Sequence, residues 1–173
     1  MRSEWVPKGE FEHILSALTP ENRLVCEVSL ATGLRVSDVL MLTPQKVRKQ
    51  RFTIREQKTG KSRYIRLPKE LVDRCLACAG AHYVFENRLN GRKPRTRQAV
   101  YKDLKRVAKL FGCKKNVTPH TARKVYAVDE FERTGNLKKV QKLLNHSDEA
   151  VTMLYAMANI IGNRKKFQKG AKS

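Results

Sequence analysis

Acidic residues are scarce in this sequence: 16 Asp and Glu stand against 37 Lys and Arg, a formal net charge of +21 over 173 residues. A surface that basic repels itself and attracts a polyanion. Long apolar runs are missing as well. No stretch approaches the ~18 apolar residues of a membrane-spanning helix, and the opening MRSEWVPKGEFEHILSALTPENRLVCEVSL holds no apolar run bounded by a cleavage site. The chain therefore reads as a soluble, intracellular protein with no membrane partner. Cysteine is sparse: Cys26, Cys75, Cys78 and Cys113 are too few and too scattered for a disulfide framework in a chain without a secretion signal, and read as reduced thiols. Cys75 and Cys78 do form a C-x-x-C with His82 close by and Cys113 further on, so a zinc site has to be weighed. Against it, the pair lies inside PKELVDRCLACAG, an apolar-periodic helix opened by Pro68 and closed by Gly80, where small buried cysteines are common. No metal is expected.

What is present is a normal globular mix, 40% apolar and 31% charged, in a chain long enough for one hydrophobic core and short for two. Helical periodicity appears in KGEFEHILSAL and again from Thr19, where TPEN supplies a cap residue, a first-turn proline and an acid near the positive helix end. That second helix runs through NRLVCEVSLAT and stops at Gly33; a short helix, SDVLML, follows with Ser37 as its cap. The β signal is RFTIREQ and KSRYIRLP around KTGK, a β-branched and aromatic alternation broken by a glycine turn, which predicts a hairpin. After the cysteine-bearing helix, HYVF predicts a third strand and ENRLNGRKPRTR a loop. From about Thr96 the segments RQAVYKDLKRVAKLFG, TARKVYAVDEFERTG, NLKKVQKLLN and DEAVTMLYAMA all read as helices. The expected class is α+β: mainly helical with one small antiparallel sheet and no internal repeat. The tail IIGNRKKFQKGAKS is basic and has no apolar face after Ile161, which predicts a disordered segment or one docked on something else.

The basic residues cluster in KVRKQR, GRKPRTR, KDLKRVAKLFGCKK and NRKK without nearby balancing acids. That pattern predicts a phosphate-facing surface, with Lys46, Arg48, Lys49, Arg51, Arg92, Lys93, Arg95 and Arg97 as the candidate phosphate contacts.

Three short pieces carry chemistry. In ATGLRVSDVL, Arg35 follows a helix-ending Gly-Leu and precedes a new helix start, where its guanidinium can present a fork to two phosphate oxygens; the plainer reading pairs it with Asp38. In EQKTGKSR, Lys58 stands at a strand end entering a tight turn, with Lys61 just after it; hairpin-tip lysines are usually only solvated. In VTPHTARKVYA, Thr118 and Pro119 open a helix, so His120 and Arg123 fall three apart in its first turn, beside N–H groups that favour an anion. Further on, LNHSDEAVTMLYA places His146 and Tyr155 nine residues apart in a segment that, taken alone, makes Tyr155 a core aromatic.

In order, the chain offers Arg35, Lys58, His120-x-x-Arg123, His146 and Tyr155, and this series resembles the tyrosine recombinase (phage integrase) family from about Lys8 to Ala158. Members carry an arginine in an ATGLR-like junction, a lysine in a KTG-like hairpin turn, H-x-x-R at a helix start, a His or Trp in an LGH-like turn and a tyrosine nucleophile nine residues later. The departures are Asn145 for the usual Gly, Ala122 for Leu and Lys124 for a frequent His; Asn tolerates the left-handed backbone that Gly would take. The resemblance implies a site-specific DNA recombinase or integrase in which Tyr155 attacks a backbone phosphate, leaving a 3′-phosphotyrosine and a 5′-hydroxyl. Arg35 and Arg123 would bind the non-bridging oxygens, His120 would accept the tyrosine proton, His146 would hydrogen-bond the phosphate and Lys58 would protonate the leaving oxygen. No ATP, metal or cofactor would be needed. The implied partner is double-stranded DNA, bound by a chain that is monomeric in solution and tetrameric on DNA, with accessory DNA-bending proteins. The implied setting is bacterial cytoplasm, as a nucleoid or mobile-element protein. Residues 1–158 would be the catalytic domain and 159–173 a basic tail docking on a neighbouring subunit; the helical clamp domain that usually precedes this one in the family has no counterpart in the sequence. A type IB topoisomerase shares the chemistry, and a non-catalytic basic nucleic-acid-binding module shares the charge.

Overall fold

The computed structural model describes residues 3–144 together with 151, 152 and 154. The order of elements is α1 (Lys8–Ser16), α2 (Pro20–Thr32), α3 (Val36–Leu40), α4 (Pro44–Arg48), β1 (Arg51–Arg55), β2 (Ser62–Arg66), α5 (Lys69–Cys78), α6 (Arg97–Leu110), α7 (Pro119–Thr134) and α8 (Leu137–Leu143). The chain divides into two compact units, residues 1–126 and 127–173.

In the first unit, α2 packs against α1, α3, α5 and α6, and α4 bridges α5 and β1. Between these elements lies a core built from Phe11, Ile14, Val25, Val28, Leu34, Val39, Leu67, Val100, Leu104 and Val125, among others. The hairpin closes one side. Its strands are antiparallel, Phe52 pairing with Ile65 and Ile54 with Arg63; strand alternation turns Phe52, Ile54, Arg63 and Ile65 inward while Tyr64 faces water. The period that buries the apolar residues thus also buries one arginine.

In the second unit, Asn136 caps α8 by accepting a hydrogen bond from Lys139 N at 3.0 Å, and Val140, Leu144, Val151 and Leu154 are buried. Val151, Thr152 and Leu154 are helical. The helix expected over DEAVTMLYAMA and the tail 159–173 otherwise lie outside the described residues, as do Asn145, His146 and Tyr155.

Three local expectations are corrected. HYVF is not a strand: the sheet of the described residues has two strands, and the segment after α5 is organised instead by Glu86, whose carboxylate accepts from His82 N at 2.8 Å and Tyr83 N at 3.4 Å. A Cβ at Gly80 would lie 1.9 Å from the Glu86 carboxyl carbon, so a side chain there would push this carboxylate off its N–H donors. Thr19 does not cap α2 with its side chain; its hydroxyl and backbone N–H both donate to Asp103 at 2.9 Å. α3 is capped by Arg35 rather than Ser37, the helix beginning at Val36. One helix, α4, lay hidden in the basic run, where Thr43 caps it through Lys46 N and Pro44 takes the first turn.

Among the described residues no helix is long and apolar enough to cross a membrane. Cys75 sits on the buried face of α5, where burial pushes its thiol up to about 12, and the Cys78 thiol donates to the carbonyls of Cys75 and Val84 at 3.4 and 3.8 Å.

Candidate active site

The site begins where α2 ends. Gly33 takes φ 65°, a left-handed turn that a side chain would strain, and its N–H closes the last turn onto Ser29 O at 2.8 Å. The chain then reverses through buried Leu34, whose carbonyl accepts from Ser29 Oγ at 2.7 Å, and Arg35 becomes the extended cap residue of α3. Its carbonyl accepts from Asp38 N at 2.9 Å and Val39 N at 3.0 Å, so the backbone under this guanidinium is fixed on both sides.

A buried polar layer supports the junction. Arg63 donates to Gly33 O at 3.2 Å and also to Thr32 O; Arg123 Nη1 donates to Gly33 O as well. Two guanidiniums thereby satisfy the last carbonyls of α2, where the helix end carries partial negative charge. Glu56 is 1% exposed, and its carboxylate meets Arg35 Nη1 at 2.7 Å and Arg63 Nη1 at 3.5 Å. Asp38 accepts from Gln57 N at 2.9 Å, and burial raises its carboxyl above the ordinary range, against that hydrogen bond and the nearby Arg35 and Arg123.

The start of α7 is pinned separately. Thr118 N donates to Thr121 Oγ1 at 3.1 Å, His120 N to Thr118 Oγ1 at 3.2 Å, and Thr121 Oγ1 to Glu4 O at 2.9 Å, so the N-terminal strap holds the first turn. Lys124 extends the same arrangement by donating to Ser3 O, and Ala122 is fully buried.

These pieces enclose a cleft of about 400 Å³ lined by Arg35, Val36, Ser37, Gln57, Lys58, Arg97, Pro119 and His120. Of the residues singled out from sequence, Arg35, Lys58 and His120 meet here, brought together from a helix junction, a hairpin turn and a helix start. Arg123 does not line the cleft; it is 1% exposed, one turn beyond His120. Arg97, expected only as one of a run of surface cations, stands on the cleft wall at the first position of α6, behind its cap Thr96. Lys46, Arg48, Lys49, Arg51, Arg92 and Lys93 are exposed, whereas Arg95 is half-buried with its Nε donating to Asn22 Oδ1 at 2.6 Å. Sequence reasoning missed Glu56 and Arg63. The alternation of β2 signals the burial of Arg63; nothing local signals Glu56.

A cleft with two arginines, a lysine and a histidine beside a helix start gathers cationic and N–H donors of the kind that hold an anion. The sequence from residue 4 to 160 matches the model of the phage integrase family. The chain belongs to that family. Relatives include the tyrosine recombinase XerD of Listeria innocua, 31% identical over 150 residues, covering 78% of this chain and 49% of that protein. The XerD of Halalkalibacterium halodurans is 33% identical over 146 residues, covering 78% and 48%. The chain thus spans about half the length of the curated relatives it matches. The fold is that of phage integrase family structures: a XerA recombinase crystal structure superposes with a TM-score of 0.72 at 19% identity, covering 98% of this chain and 66% of the other. A lambda integrase dimer bound to a COC′ core site gives a TM-score of 0.72 at 22% identity, covering 88% and 48%.

Proposed function

We propose that this chain is the catalytic domain of a site-specific DNA recombinase that cuts and rejoins strands through a covalent bond at Tyr155. The observation that carries the reading is the gathering of Arg35, Lys58 and His120 around one cleft from positions far apart in sequence. Tyr155 Oη attacks the scissile phosphorus as its proton passes to His120; the bond from phosphorus to the 5′ oxygen breaks, and Lys58 protonates that oxygen. Arg35 from the cleft wall, and Arg123 from its buried place one turn behind His120 once DNA uncovers it, bind the non-bridging oxygens, and His146 hydrogen-bonds them. Each such preorganised donor contributes about 2.7–4 kcal/mol to the transition state. A 5′-hydroxyl from a partner strand reverses the step, so the number of phosphoester bonds is conserved and neither ATP nor a metal takes part.

The partner in this reading is double-stranded DNA, gripped largely through phosphates by the exposed cations of α4 and of the loop before α6. A solved relative, lambda integrase, forms a tetramer on a Holliday junction; we propose the same assembly here from a chain that is monomeric without DNA. Residues 1–158 form the catalytic part and 159–173 a tail that docks on a neighbouring subunit. The setting is the bacterial cytoplasm, on chromosomal or mobile-element DNA.

The test is covalent capture. A library of nicked duplexes of random sequence, in which cleavage releases a short fragment and traps the protein, should yield a denaturation-resistant adduct and, on sequencing, the preferred site. Tyr155→Phe should yield none, and chelator should leave the adduct unchanged. An adduct with Tyr155→Phe, or cleavage that vanishes with chelator, rejects the mechanism.

A further inference from the structure

Glu56 is an anion buried beside a site meant for a phosphate. A carboxylate there repels the substrate and is expensive to desolvate, so its place needs a reason. One reason would be to neutralise buried Arg63. The geometry disfavours it: Glu56 lies closer to Arg35 than to Arg63, 2.7 Å against 3.5 Å, and Arg63 is already held by the carbonyls of Thr32 and Gly33. The second feature is what else Glu56 holds. Thr59 Oγ1 donates to Glu56 Oε2 at 3.0 Å, the same oxygen that meets Arg35. Gly60 N donates to Glu56 O at 2.8 Å, and Glu56 N donates to Lys61 O at 3.0 Å, closing the turn that carries Lys58.

We infer that Glu56 is a positioning residue for strand cleavage: its carboxylate fixes the Arg35 guanidinium and, through Thr59, the Lys58 turn as one hydrogen-bonded unit. The inference rests on the proposed function of the cleft. It makes a distinctive trade. Pairing with Glu56 dilutes the attraction of Arg35 for a ground-state phosphate while fixing its direction, which favours the transition state over uniform binding. Removing the negative charge should therefore leave DNA affinity intact or higher while slowing chemistry.

The experiment measures single-turnover adduct formation by the full chain on the trapping duplex recovered by covalent capture, alongside the dissociation constant for the same DNA. Glu56→Gln should slow adduct formation by about 10²-fold, the effect of a small misplacement of a catalytic group, with no loss of binding. On a duplex whose scissile phosphate is a methylphosphonate, neutral and lacking one non-bridging oxygen, Arg35 has little charge to meet and the loss should largely disappear. Thr59→Val, at a half-exposed turn position, tests the other arm. It should slow cleavage of the ordinary diester and be rescued by a sulfur at the 5′-bridging position, since a thiolate leaves without a proton from Lys58. An equal loss for Glu56→Gln on diester and methylphosphonate, or weakened binding in step with the rate, makes Glu56 a structural counter-ion and overturns the inference. So does a Thr59→Val variant that is unimpaired or not rescued. Absence of any adduct with the wild-type chain instead overturns the reading of the cleft, and this inference with it.

Discussion

The ring of Tyr126 lies against Gly33 so closely that a Cβ on Gly33 would sit 2.4 Å from its Cδ1 and Cε1 atoms. The glycine that ends α2 is thus fixed twice, by its φ of 65° and by a ring packed over it. Its carbonyl also receives Arg63 and Arg123. Gly33→Ala should destabilise the fold by at least ~2 kcal/mol, combining a strained backbone at about 1–3 kcal/mol and overpacking at about 1–3 kcal/mol. Urea titration of both proteins reads this directly. An Ala variant as stable as the wild type would show that the junction relaxes and that Arg35 does not depend on it.

Asp38 gives a prediction with a definite sign in pH. Burial raises its carboxyl, so the folded state holds the proton more tightly than the unfolded chain does. Its contribution to stability is complete below the ordinary aspartate value of about 3.9 and is lost as pH rises through the raised folded value. Oδ2 of Asp38 has no hydrogen-bond partner among the described residues, so the hydrogen bond from Gln57 N to Oδ1 and the nearby Arg35 and Arg123 offset the burial of the ionised form without overcoming it. The difference in unfolding free energy, Asp38→Asn minus wild type, should move in favour of Asn as pH climbs out of the carboxylate range. A difference that is flat, or that falls with pH, would mean that Arg35 and Arg123 outweigh desolvation.

The parts of this molecule legible in its sequence are those fixed by neighbours in the chain. The stop at Gly33, the KTG turn and the start of α7 at Pro119 are each signalled by residues within one turn of each other, even where Tyr126 and Glu4 reinforce them from far away. What was not legible was fixed from far away. Thr19 has the look of a cap, yet Asp103, 84 residues on, takes both its donors. HYVF has strand composition, but Glu86 gathers backbone N–H groups that a strand would have paired elsewhere. Glu56 is one acid in a polar turn until the fold brings Arg35 against it from 21 residues away. The order of Arg35, Lys58, His120, Arg123, His146 and Tyr155 carried the resemblance to the family; among the first four, only coordinates separate the three that line the cleft from the one set behind it.

Arg97 and Arg95, two residues apart in one basic run, should behave differently. Arg97 lines the cleft, so Arg97→Ala should weaken DNA binding and reduce the slope of log affinity against log salt by about 0.9, the value for one lost phosphate contact. Arg95 spends its Nε on Asn22, which itself donates to Asp103 at 2.8 Å, so Arg95→Ala should lower thermal stability and leave the salt slope nearly unchanged. Equal slopes for the two variants would mean that cleft position does not decide phosphate contact. The measurement is fluorescence anisotropy on labelled duplex across a salt series.

Lys58 and Lys61 flank the same turn, and the cleft distinguishes them. Lys58 lines it together with Gln57, His120 and Arg97, whereas Lys61 is exposed and does not line it, its backbone carbonyl accepting from Glu56 N at 3.0 Å. A general acid must reach the oxygen it protonates, so the side chain in the cleft is the one that can serve. Lys58→Ala should therefore lower adduct formation by about 10²–10⁴-fold, the usual range for a positioned acid, while Lys61→Ala changes it little. A substrate with sulfur in place of the 5′-bridging oxygen should restore Lys58→Ala toward the wild-type rate, since the leaving thiolate needs no proton. It should not restore an Arg35→Ala variant, whose loss concerns the non-bridging oxygens. If sulfur rescues Lys61→Ala instead, the turn rearranges on DNA and the wrong lysine has been assigned; if it rescues neither, proton delivery to the leaving oxygen comes from elsewhere in the cleft.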